Sequence, residues 1–138
     1  MQELNISTGL VTYKVNGELE VTLNPTDIAF VEKLYSVFEE LDKKQEAYKA
    51  EINAADKREV FHVADRMNTE LREMINGAFS MDICSAVFGN MSVCAMADGL
   101  PLWANLLLGF MDVVDDTFIS EQQKTNARIT KYSSKYHK

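Results

Sequence analysis

The amino-acid sequence predicts a mostly α-helical α+β domain: an N-terminal β-hairpin, then a bundle of about four helices that includes a long helical hairpin. Three observations carry that expectation. Two alternating apolar runs flank Asn16-Gly17, two heptad seams follow between residues 31 and 74, and the stretch Asp98–Ile119 is apolar on nearly every side.

Val11, Tyr13 and Val15 alternate with Thr12 and Lys14; Leu19, Val21 and Leu23 alternate with Glu18, Glu20 and Thr22. That period of two is the mark of a strand with one covered face. Asn16-Gly17 between the runs is a strong hairpin signal, because both residues accept positive φ. An isolated hairpin is marginal in water, so its apolar face is expected on a helix or on another subunit's strand.

Asn24-Pro25-Thr26-Asp27 ends the hairpin and opens a helix, with Thr26 or Asn24 as the expected cap and Asp27 suited to the positive end of the dipole. Val31, Leu34, Phe38, Leu41, Gln45, Tyr48 and Ile52 then recur in steps of three and four, a heptad seam. A second helix is expected from about Ala55 to Ala78, with Asn53 or Asp56 as its cap. Its seam is Val60, Ala64, Met67, Leu71 and Met74, widened by Phe61, Val63 and Ile75. The short polar join at Asn53–Lys57 suggests an antiparallel pair. One continuous helix is the alternative, since neither Gly nor Pro interrupts the join.

A short helix at Asp82–Phe88, ended by Gly89-Asn90, leads through the apolar connector Met91–Met96 to Asp98-Gly99, a chain reversal. Pro101 suits the first position of the last helix, where its missing N–H costs nothing. Leu102, Trp103, Leu106, Leu107, Leu108, Phe110, Met111, Val113 and Val114 follow. A helix apolar all round must be covered all round, by a core or by a partner. The run is too short and too interrupted for a membrane span of ~20 apolar residues. The expected organisation is a single domain over 1–119, with the hairpin in 1–24 and the bundle in 26–119, then a basic tail over 120–138.

With 46% hydrophobic and 25% charged residues, the chain has an ordinary globular composition. Its net charge of −7 argues against a nucleic-acid binder. Residues 120–138 hold five basic side chains against Glu121 alone, a net +4 that leaves −11 on the rest. Such a tail suits an acidic protein surface, such as the body of a neighbouring copy, and Arg128, Tyr132 and Tyr136 are its candidate contacts. The first residues carry neither the basic start nor the apolar core of a signal peptide, so Cys84 and Cys94 are expected as free thiols in a reducing cytoplasm.

No enzymatic activity and no cofactor are expected. Asp112, Asp115 and Asp116 form a D-x-x-D-D on one helix face, and Glu70 and Glu73 an E-x-x-E. Four such carboxylates can hold Mg²⁺ in a bundle, as in the all-α nucleotide pyrophosphohydrolases. The neighbouring E-x-x-D helix of that family is missing, and the solvated side of amphipathic helices accounts for the same acids. Cys84, Cys94 and His62 lack the spacing of a zinc site, and neither His62 nor His137 has a nominated partner for general-base work. Trp103, Leu106, Leu107, Phe110 and Met111 read equally as core or as an adaptable binding surface.

The segment Met81–Phe118, with Asp82-Ile83-Cys84 and Phe88-Gly89 in a D-I-C-x-x-x-F-G element, resembles short tail-region proteins of phages and prophages of Gram-positive bacteria. The helix entry Thr26-Asp27-Ile28-Ala29-Phe30-Val31-Glu32-Lys33 and the basic, tyrosine-containing Arg128–Lys138 are similar to theirs as well. Such proteins are viewed as tail assembly chaperones. The resemblance implies a partner in the tape measure protein or the tail tube protein; self-association and residence in the host bacterial cytoplasm are expected beside it. A structural component of the virion tail is the alternative. Helix-in-groove recognition would suit such a partner, with Trp103, Leu106, Leu107, Phe110 and Met111 as contacts and no role for nucleic acid or membrane.

Overall fold

The computed structural model describes residues 1–124 and Arg128. Strands β1 (Val11–Val15) and β2 (Leu19–Leu23) form the expected antiparallel hairpin, with Val15 opposite Leu19 and Val11 opposite Leu23. Asn16 and Gly17 take φ of 52° and 80° in its loop. On one face Val21 is buried, with Val15, Leu19 and Leu23 packed beside it; on the other, the hydroxyls of Thr12 and Thr22 meet at 2.7 Å. Residues 1–10 are not part of the hairpin. They run as an arm without regular structure.

Helix α1 (Ile28–Ala54) is capped by Asp27, whose Oδ1 accepts from the Ala29 N–H at 3.1 Å. This corrects the expectation of Asn24 or Thr26. Asn24 is engaged otherwise: its Oδ1 accepts from the N–H and hydroxyl of Thr26, and its Nδ2 donates to the Thr8 carbonyl. Helix α2 (Glu59–Phe79) is a separate helix that starts four residues later than expected, because Asp56 turns the chain by accepting from the N–H groups of Arg58 and Glu59. Asn53 lies within the last turn of α1.

The two helices are antiparallel. Phe30 meets Phe79 near one end, Lys44 and Tyr48 meet Glu70 further along, and Glu51 meets Arg66 near the other end. Leu34 and Leu41 form the buried part of the α1 seam. In α2 the buried stripe is Val63, Met67, Leu71, Ile75 and Ala78, rotated from the expected one: Val60, Ala64 and Met74 flank it, and Phe61 is 77% exposed.

Short helix α3 (Ile83–Phe88) is capped by Asp82 on the Ser85 N–H and ends at Gly89. A second small hairpin, β3 (Met96–Ala97) with β4 (Leu100–Pro101), turns at Asp98 and Gly99, both at positive φ. It delivers the chain to α4 (Leu102–Gln123), where Pro101 is the flanking residue rather than the first helical one. Helix α4 lies antiparallel to α1: Trp103 sits by Phe38 and Gln45, and Asp115 by Tyr35. It also extends into the expected tail by four residues. The core joins α1, α2, α3, α4 and the hairpin in one cluster. No helix among the described residues is long and apolar enough to cross a membrane.

Candidate interaction groove

Four of the five apolar residues nominated on α4 as partner contacts are core residues of this chain. Trp103 is 2% exposed, Leu107 is fully buried, and Leu106 and Phe110 are buried. The rings explain why. Trp103 packs edge-on to Phe38 at 5.6 Å and donates its Nε1–H to Gln45 Oε1 at 2.8 Å; Phe110 packs edge-on to Phe79 at 4.8 Å and to Tyr13 at 6.4 Å. The apolar excess of α4 is consumed by neighbours on three sides, α1, α2 and the hairpin, so these side chains do not form a presented surface. Met111 is half-buried. Arg128 is exposed, while Tyr132 and Tyr136 lie outside the described residues.

Two of the four still contribute to an opening. A groove of about 480 Å³ runs between the outer edge of β1 and the flank of α4. Tyr13, Lys14, Val15 and Asn16 form one wall; Leu102, Asn105, Gly109 and Val113 form the other, and Val87, Phe88 and Met91 close one side. Leu106 and Phe110 lie at its base. No residue of β2 lines it, and the β1 edge away from β2 has no strand partner among the described residues. Among the described residues, Lys14 is the only charged one of the lining.

Gly109 bears on what this groove does. It sits in the middle of α4, exposed, and a Cβ placed there would meet nothing within 4 Å. A mid-helix glycine costs about 0.5–1 kcal/mol against alanine. Neither packing nor backbone geometry in this fold requires it, so the smoothness it gives the groove wall is its evident effect.

The acidic residues are dispersed. Glu70 takes the Lys44 ammonium and the Tyr48 hydroxyl, Asp115 accepts from Tyr35, and Glu73, Asp112 and Asp116 are exposed. Among the described residues no group of three or more His, Cys, Asp or Glu is placed to hold a metal ion. His62 is exposed. Cys84 and Cys94 are both free, and burial pushes the Cys84 thiol up to about 11 and raises that of Cys94.

The polar residues gathered between α1 and α2 form a clamp. Hydrogen bonds from Lys44 and then Tyr48 hold the Glu70 carboxyl below its ordinary value, while the bond to Glu70 raises Lys44 and Tyr48. A lowered carboxylate contributes stability that is present above its unfolded pKa and lost as pH falls through the folded value. Melting curves should therefore show Glu70→Gln less stable than the native chain at neutral pH, with the gap closing below about pH 4.5, the ordinary glutamate value. Both side chains are partly open to solvent, which screens the pair, so the gap is small.

A second polar set escaped the sequence reading. Asn68, Arg72 and Asn76 stand four residues apart on α2 and bind the segment 82–93 in reverse order. Asn76 Oδ1 accepts from the Cys84 N–H and its Nδ2 donates to Asp82; Arg72 Nη2 donates to the carbonyls of Gly89 at 2.6 Å and Met91 at 2.7 Å; Asn68 Oδ1 accepts from the Val93 N–H at 2.9 Å. This ladder positions Val87, Phe88 and Met91 at the groove. Its signal in the sequence is the i, i+4, i+8 polar row beside an apolar stripe, which is indistinguishable from a solvated face until the partner segment is known.

No model of a known protein family matches the chain, and no characterised protein or solved structure matches it.

Proposed function

We propose that this chain is a non-enzymatic tail assembly chaperone that binds the tape measure protein, or tail tube subunits, through the groove between β1 and α4. The groove is the observation that carries the reading. It is open and mostly apolar, it offers a strand edge on one wall and a helix flank on the other, and Gly109 keeps the helical wall flat. An apolar groove of this kind takes either an extended segment along the strand edge or an amphipathic helix along the flank. The tape measure protein enters from the resemblance of Thr26–Lys33 and Met81–Phe118 to phage tail-region proteins.

The test is co-expression with the tape measure protein of the same genome, followed by pull-down. Gly109→Ala should stabilise the free protein by about 0.5–1 kcal/mol and capture the partner normally. Gly109→Leu should fold equally well, since its side chain projects into open space, yet lose capture by tenfold or more because it fills the groove. Equal capture by Gly109→Leu and native protein would overturn the assignment to this groove. No capture by either, with the protein present in purified particles, would instead favour a structural tail component.

A further inference from the structure

The N-terminal arm is the least accounted-for part of the fold. Leu4 and Ile6 alternate with Glu3, Asn5 and Ser7, the period of a strand, yet the two apolar side chains are 84% and 71% exposed. Residues 1–7 have no backbone pairing among the described residues. The root of the arm, in contrast, is built. Thr8 accepts from Asn24 Nδ2 at 2.9 Å, and Gly9 turns the chain at φ +70°, with Asn24 Nδ2 only 2.7 Å from where a Cβ would stand. Beyond this fixed root, Ile6 and Ser7 border a hollow whose other side is formed by Phe118 and Gln122 of α4.

An unpaired strand edge beside an apolar groove and an unpaired apolar strand segment are complementary needs carried by one chain. Their charges match too: among the described residues Lys14 is the only charge in the groove lining, and Glu3 is the only charged side chain of residues 1–10. We infer that in the free protein the groove is occupied by residues 2–7 of a second copy, which pair with the β1 edge, seat Leu4 and Ile6 against α4, and set Glu3 against Lys14. If the exchange is mutual it closes a dimer; if it runs head to tail it generates a ring or filament. The assembly partner then displaces the arm, so self-association and partner binding share one site. This last step rests on the proposed function, but arm exchange itself is read from the free protein.

The experiment is the solution mass of the full-length protein by light scattering at tens of micromolar. The native chain should run at a multiple of its 15.6 kDa mass. Leu4→Asp with Ile6→Asp should give a monomer with unchanged helicity and melting, because both positions are exposed in the folded chain. Lys14→Glu should weaken association at least tenfold, and adding Glu3→Lys should restore it. A native monomer, or an oligomer indifferent to the arm substitutions, overturns the inference. The two readings fail separately: a native monomer that still captures the tape measure protein removes only arm exchange. An arm-dependent oligomer that captures nothing removes only the chaperone function.

Discussion

Replacing Trp103 and Phe110 together by serine should abolish the fold, leaving a chain without a cooperative melting transition in circular dichroism at 25 °C. Truncating a buried Trp or Phe costs about 3–5 kcal/mol each, and two such losses consume most of the roughly 5–15 kcal/mol by which a domain is stable. The two rings serve different junctions. Trp103 joins α4 to α1 through Phe38 and Gln45, and Phe110 joins α4 to α2 and the hairpin through Phe79 and Tyr13. Their effects should therefore nearly add. Trp103→Phe, which keeps an aromatic ring beside Phe38 but gives up the N–H donor to Gln45 and part of the buried indole volume, should stay folded and lose about 2–3 kcal/mol. A double serine variant that folds and merely loses partner binding would mean that the rings are presented rather than packed.

Arg72→Ala should cost on the order of 2–3 kcal/mol, since hydrogen bonds to a charged donor are worth more than neutral ones and two carbonyls lose theirs together. The guanidinium reaches Gly89 and Met91 with one nitrogen and Ser85 with another at 3.4 Å. It thereby gathers the end of α3 and the turn after it onto α2. Arg72→Lys should recover only part of the loss, because an ammonium cannot span the same fork. Hydrogen exchange should locate the damage. Amides of residues 84–93 should exchange faster in the variant, while those in the middle of α1 keep their protection. Uniform acceleration across all four helices would show instead that the segment is inseparable from the global fold.

Much of the architecture is legible in the sequence because its signals are local. Asn16-Gly17 and Asp98-Gly99 name two turns, the period of two names the first hairpin, and steps of three and four name the long helices. The failures share a cause. The cap of α1 depends on Asn24 being drawn away by Thr8 and Thr26, the rotated stripe of α2 depends on what lies against it, and the ladder at Asn68, Arg72 and Asn76 depends on where residues 82–93 return. Thr26 apart, none of these partners is within a helical turn of the residue it decides. The same holds for α4. Its apolar excess marks it as covered on every side, but whether the cover is the chain's own hairpin or another protein is set by tertiary placement. The groove consists of residues from three separate stretches, and no single stretch of the sequence announces it.

The indole of Trp103, the chain's only tryptophan, sits where α1 and α4 touch, donating to Gln45 out of an apolar surround. Its fluorescence is thus a single-site optical reporter. Blue-shifted emission signals closed helices, and a red shift signals their separation before any loss of helical content. Leu102 and Phe110 of the groove are its neighbours on the same helix, so events at the groove become readable by light from within the protein, with no label attached.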